Sequence, residues 1–253
     1  MYVYLYDEFL KRKKYESTIK EIETRLTDFG IAGKILRLQK SINAHSTIEE
    51  EIAKGAKTII MVGNDNTFGH VLSRGAVGKA LFGFLPIGPE NTIADVLGIP
   101  VGVEACEILS RRRKIPLDIG WVNNRYFVSQ LHIPPHDISV SYDDMFSVSA
   151  RYKKMELVVC NLQPFFWKNS KAGDYTVHPQ DGKLEAFLRP MKKKHVFKEV
   201  YEEPSIFPFE EMVVTGKTPF VMVTDGKRSK EKKITIRLAK KRLEMIVGRK
   251  RRF

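Results

Sequence analysis

Cysteine is nearly absent from this chain of 253 residues, with only Cys106 and Cys160 present. Two cysteines at that separation make no zinc spacing and no disulfide framework, so a reducing cytoplasm is the expected setting. No apolar run approaches the roughly 18 residues of a spanning helix. The opening MYVYLYDEFLKRKK reads as a strand followed by charge, not as a secretory leader with a basic front end. There is no internal repeat, no serine–histidine–acid arrangement for nucleophilic catalysis, and no RNA- or DNA-binding motif. What remains is a folded protein with 43% hydrophobic residues, long enough for one large domain or two small ones.

The net charge of +13 is unevenly placed. Residues 227–253 hold 13 Lys and Arg against two acids, Glu231 and Glu244, and the rest of the chain is nearly neutral. A basic element on a neutral body suits an anionic partner, either a lipid surface or a nucleic acid. The same element also reads as a solvated face kept for solubility. It is not simply a tail: Ile234, Ile236 and Leu238 alternate with polar residues, and Leu243, Met245 and Val247 repeat the pattern. Only Arg249–Phe253 reads as a free end.

The first part alternates strand and helix. After YVYLY, the positions Tyr15, Ile19, Ile22, Leu26 and Phe29 share one helix face, closed by Gly30. GKILRLQ, TIIMVG and LFGFLPI read as further strands. Helices are expected from the capping-box sequence Ser46–Glu49, over FGHVLSRG, around Asn91–Leu97 and over Val103–Arg112. Repeated βα units predict a three-layer α/β/α domain with a mostly parallel sheet over residues 1–115. From 116 to 253 the pattern changes to short strands. Asn123-Asn124 joins two of them as a tight hairpin turn, and the turn clusters Lys171–Asp174 and Pro179–Gly182 separate others. This half reads as an antiparallel, sandwich-like β domain, although its last strands could equally pack beside the first domain.

Ligands of such α/β sheets bind at the carboxyl ends of the strands. Two loops stand there, Gly63-Asn-Asp-Asn-Thr67 and Pro86-Ile-Gly-Pro-Glu-Asn91, each preceding a helix whose first N–H groups favour an anion. Asp65 has the chemistry to hold Mg²⁺ or a ribose hydroxyl, and Thr67 to donate to a phosphate. Ordinary helix capping accounts for the same residues.

The order of these loops resembles the diacylglycerol kinase catalytic-domain family, lipid kinases related to NAD kinases. GNDNT-FG-H is similar to its GGDGT motif with the following glutamate, keeping Gly63, Asp65 and Thr67. PIGPENTIADVLGIP is similar to its second motif, keeping Pro86, Gly88, Asn91, Ala94 and Leu97–Pro100. LDIGWVNNRYFV, HPQDGKLEAFL and TPFVMVTDGK resemble three later segments in the same order. The resemblance implies a two-domain kinase with ATP in its cleft, transferring the γ-phosphate to the hydroxyl of a diacylglycerol, sphingoid base or related lipid. It implies that Gly63, Asn64, Asp65, Asn66, Thr67, Gly88 and Asn91 line the nucleotide. It further makes Asp225 the general base and places a structural Mg²⁺ at Asp181.

The departures fall on the same motifs. Two glycines are Asn64 and Asn66, the motif glutamate is His70, and Thr-Gly of the second motif is Pro89-Glu90. The glutamate of the last motif is Lys227, the first strand leads into Asp7-Glu8-Phe9, and the usual helical insert has no room. The readings that follow are a lipid kinase with a rebuilt loop, peripheral to a membrane; a non-catalytic relative that binds anionic lipid or another partner; and, third, a nucleic-acid-binding protein using the basic C-terminus. His132 and His136 suggest a metal pair or a surface turn. Phe165-Phe166-Trp167 suggests an interface or a core cluster, and Arg111–Lys114 and Lys192–Lys194 read as solvated ends.

Overall fold

The computed structural model describes residues 1–38, 44–73, 77–142, 146–149, 154–162, 177–194 and 198–253, without the side chains of 192–194 and 198–199. Phe165-Phe166-Trp167 and Lys171–Asp174 lie outside the described residues. The chain divides into two compact units, 1–117 with 241–252, and 118–240 with Phe253.

The first unit is the expected alternation. It runs β1 (Tyr2–Tyr6), α1 (Glu16–Asp28), β2 (Lys34–Arg37), α2 (Ala44–Ala53), β3 (Thr58–Gly63), α3 (Asp65–Leu72), β4 (Leu81–Pro86), α4 (Thr92–Val96), α5 (Ala105–Arg111) and β5 (Lys114–Leu117). One further strand, β17 (Leu243–Ile246), comes from the far end of the chain. The sheet order is β2-β1-β3-β4-β17-β5, parallel throughout except for the β17–β5 pair. Every residue of β3 is buried, as are Val3 to Tyr6 of β1, so both sheet faces are covered and the unit has three layers.

Two local expectations are corrected. The helix expected to open at Ser46 already begins at Ala44, which puts Ser46–Glu49 inside α2; Glu49 there pairs with Lys79 at 2.5 Å. The C-terminal end is not free. Leu243, Met245 and Ile246 bury their side chains in the first sheet. Beyond it, Gly248 N–H donates to Leu97 O and Arg252 N–H to Val96 O, both at 2.9 Å. Only glycine permits that approach, because a Cβ on Gly248 would lie 1.8 Å from the Gly98 carbonyl oxygen.

The second unit is antiparallel β. Its strands are β6 (Gly120–Val122), β7 (Arg125–Phe127), β8 (Gln130–His136), β9 (Ile138–Tyr142), β10 (Phe146–Ser149), β11 (Lys154–Cys160), β12 (Leu184–Lys194), β13 (Lys198–Tyr201), β14 (Ser205–Phe209), β15 (Glu211–Thr224) and β16 (Lys227–Leu238). Asn123 and Asn124 both adopt positive φ, 46° and 59°, which makes the β6–β7 turn the expected tight hairpin. EMVVTG and FVMVT lie in one continuous strand, β15. A register shift between Thr215 and Phe220 lets β15 pair β9 with its first half and β8 with its end. The inward residues of these strands, among them Phe127, Leu157, Phe209, Met212 and Ile236, form one buried core.

Candidate functional site

β3 and β4 are adjacent and parallel, with Gly63 opposite Pro86, so the two loops that follow them emerge side by side. The first loop opens on Gly63, where a Cβ would meet Thr67 Oγ1 at 2.2 Å. Only a bare backbone lets the Thr67 hydroxyl fold back against the strand end. Asn64 then caps α3: its Oδ1 accepts from Thr67 N–H at 3.3 Å, while Thr67 Oγ1 accepts from Asn64 N–H at 3.1 Å. The Thr67 hydroxyl, fully buried, donates to Asp7 Oδ2 at 2.7 Å and so ties the loop after β1 to the loop after β3.

Ile87 N–H donates to Gly63 O at 2.6 Å, and three further bonds join the two motif loops. Asn64 Nδ2 donates to Pro89 O at 3.1 Å, Asn66 Nδ2 to Glu90 Oε2 at 2.9 Å, and Asp65 N–H to Glu90 O at 2.9 Å. Each asparagine that stands where the motif has glycine therefore reaches across to the residues that replaced Thr-Gly. Asp65 completes the link. Its carboxylate accepts from Thr92 N–H at 2.8 Å and Ile93 N–H at 3.1 Å, the first amides of α4. An internal carboxylate thus sits where a helix N-terminus would receive an external anion. Burial raises the Asp65 pKa to about 6; the two amides act the other way, and Glu90 adds to the rise.

The second loop turns on Gly88, at φ +88°, with the Phe9 ring 3.1 Å from where its Cβ would be. Glu90 adopts φ 66°, a left-handed conformation uncommon for a residue with a side chain. Asn91 Nδ2 donates to Gly88 O at 2.6 Å, and its Oδ1 is buried without a partner.

Beside the first turn of α3 lies a cavity of some 510 Å³, lined by Asp7, Glu8, Phe9, Arg12, Asn66 and His70 among others. Its size is in the range of small-ligand sites. Sequence reasoning did not assign Asp7 or Arg12 to the site. Asp7 stands 60 positions from the Thr67 hydroxyl it accepts, and no short-range pattern joins the two.

In the second unit, Asp225 occupies the β15–β16 turn at φ 43°. Its carboxylate accepts from the N–H groups of Val128, Ser129 and Gln130 at 2.9, 3.1 and 3.1 Å. Burial raises its pKa, against lowering by those amides and by Lys227. Three of its roughly four acceptor positions are filled, leaving one lone-pair direction. Asp181 is exposed and holds its own turn through Lys183 N–H at 3.0 Å. The buried oxygen without a partner nearby belongs to Glu185, whose pKa burial, with Asp181 and Asp118, pushes up to about 8. Among the described residues no three His, Cys, Asp or Glu side chains group to hold a metal ion. Among the described residues, those around Asp181 do not form a Mg²⁺ ligand set.

His132 and His136 are not a metal pair. His132 lies 3.0 Å from Glu156, which also holds Arg189, and His136 meets Thr218. Among the described residues no helix is long and apolar enough to cross a membrane.

Residues 3–122, just under half of the chain, match the model of the diacylglycerol kinase catalytic domain. A curated relative from Pseudomonas aeruginosa, named "Probable lipid kinase YegS-like", is 34% identical over 90 residues, which is 34% of this chain and 30% of that protein. Another of that name from Klebsiella pneumoniae is 30% identical over 115 residues, 44% of this chain and 38% of the relative. The chain thus spans about a third of the length of the curated relatives it matches. A solved structure titled as a diacylglycerol kinase from Bacillus anthracis str. Sterne superposes with TM-score 0.76 over 98% of this chain and 97% of its own, at 16% identity, a likeness of fold.

Proposed function

We propose, from the match of residues 3–122 to the diacylglycerol kinase catalytic-domain family, that the chain is a lipid kinase transferring the γ-phosphate of ATP to a lipid hydroxyl. The observation that carries the reading is the pairing of the β3 and β4 loops at two helix N-termini, beside a 510 Å³ cavity that Arg12 helps to line. ATP would supply the transferred phosphoryl group. For such a transfer a protein mainly positions the reactants and offsets charge. Arg12 is the cation placed to meet phosphate in the cavity. Gly63, Thr67 and Asp7 fix the floor of the loop, and Asn66 forms part of the cavity wall. Asp225 keeps an acceptor position and a pKa that burial raises above the ordinary carboxylate value, which suits a group that accepts the proton of a hydroxyl.

One observation favours a second reading, a family member that keeps the fold without turnover. The α4 amides are already taken by Asp65, and Asn66–Glu90 ties the loops together. Titration calorimetry with Mg-ATP separates the two, followed by incubation with labelled ATP and a lipid extract. Binding and a labelled lipid product support the kinase. Absence of any Mg-ATP binding leaves the second reading, and binding without a labelled product removes the lipid acceptor from the proposal.

A further inference from the structure

A groove of some 900 Å³ lies within the first unit, between the docked C-terminal segment and the turn after α4. Four cations line it, Arg111, Arg113, Arg249 and Lys250, against a single acid, Asp95. That acid is already engaged, with Arg252 Nη2 at 3.0 Å, and Arg111 reaches Glu107. Among the described residues no carboxylate pairs with Arg113, Arg249 or Lys250. Like charges gathered around one concave space raise its positive potential and favour an anion.

The segment that carries Arg249 and Lys250 is held in place by backbone bonds on either side of them. Val247 N–H donates to Arg113 O, Gly248 N–H to Leu97 O and Arg252 N–H to Val96 O, each at 2.9 Å. The interlocked Gly98 and Gly248 set the path of the segment between them. A backbone fixed before a ligand arrives loses little freedom on binding it. The lining also includes the apolar residues Ile99, Pro100, Ile108 and Val247. Val101, which follows Pro100 in the chain, is 52% exposed.

We propose that this groove binds the phosphate of an anionic phospholipid at a membrane surface. Phosphate is the shared chemistry of several anions, and the apolar lining, with exposed Val101 following Pro100 in the chain, points to the lipid-borne form. None of residues 63–67 or 88–91 lines the groove, so the proposal does not depend on phosphate transfer.

The test is sedimentation of the full chain with phosphatidylcholine vesicles, with and without phosphatidylglycerol, at roughly 0.1 M salt. The variant Arg113→Gln/Arg249→Gln/Lys250→Gln is compared with Lys230→Gln/Lys232→Gln/Lys233→Gln, which removes equal charge from β16. The groove variant is expected to lose binding to the anionic vesicles on the order of a hundredfold, and the strand variant only a few-fold. Equal losses in the two variants, or none in the first, would overturn the proposal. So would binding of tripolyphosphate or of a single-stranded RNA that the groove variant abolishes while wild type ignores the vesicles. Should the triple variant melt early, Arg249→Gln alone, at an exposed position outside the backbone bonds, is expected to lose about fivefold, and an unchanged affinity counts against the groove.

Discussion

Asp65 is the residue on which the two motif loops converge, and its titration is the sharpest test of the site. Its pKa stands at about 6 where an ordinary aspartate stands at 3.8. The unfolded chain therefore releases this proton first as pH rises. Between about pH 4 and pH 6 the folded state holds it and the unfolded state does not, so stability falls as pH rises across that window. The full displacement corresponds to roughly 3 kcal/mol at about 1.4 kcal/mol per pH unit. Asp65 is only partly buried, and solvent screening reduces that to about 1 kcal/mol. Asp65→Asn keeps one acceptor for the α4 amides and removes the charge. In the variant the loss of stability between pH 4 and pH 7 should shrink by about 1 kcal/mol, measured by urea unfolding across that range. The direct assay is the carboxyl carbon shift of Asp65 against pH, with a midpoint expected near 6. A midpoint at or below the ordinary value would show that the Thr92 and Ile93 amides outweigh burial, and the reasoning would fail. Repeating the titration with Mg-ATP also separates the functional readings: binding at this loop changes the midpoint, and loops that only brace each other leave it in place.

The other predictions concern neighbouring groups. Thr67→Val removes the donor to Asp7 and the acceptor for Asn64 N–H from a buried position, and should lower stability by about 2 kcal/mol in urea unfolding; a loss within a few tenths would mean that the two bonds carry no net energy. Glu90→Gly relieves a left-handed backbone, worth about 1 kcal/mol, and removes an exposed hydrogen bond, so stability should hold or rise, and a fall beyond 1 kcal/mol would contradict the assignment. Asp225→Asn sets an amide against the N–H groups of Val128, Ser129 and Gln130 and should cost about 2 kcal/mol; lost activity with unchanged stability would instead mark a purely catalytic group. Glu185 should make the second unit less stable as pH rises from 4.5 to about 8, by at most about 5 kcal/mol, and Glu185→Gln should flatten that slope. An unaltered pH profile in that variant would place the titration elsewhere.

Much of the architecture was legible because it rests on local patterns. Alternating β and α segments foretold the parallel order of β1, β3 and β4, and Asn123-Asn124 foretold a hairpin because asparagine tolerates positive φ at both central positions. Where the reading erred, the deciding contact was distant in sequence. Arg249–Phe253 carries the composition of a free end. It is ordered through backbone bonds to Val96 and Leu97, which depend on Gly98 and Gly248 passing each other without side chains. The site shows the same division. Gly63, Asp65, Thr67, Gly88 and Asn91 were recognisable by motif, and β3 and β4 bring them together. The consequence of the substitutions was not recognisable one residue at a time. Asn64 and Asn66 read singly as lost glycines, and Glu90 as an unwelcome anion. In the fold Asn66 and Glu90 are one pair, Asn64 meets Pro89 across the same gap, and Asp65 fills the end of α4. Substitutions that satisfy one another across 24 and 25 residues constitute one altered loop–loop contact. Restoring a single motif residue, such as Asn66→Gly, therefore strands Glu90 without restoring the motif. Only the combined return of Asn64, Asn66 and Glu90 to glycine tests whether the loops can open around a phosphate.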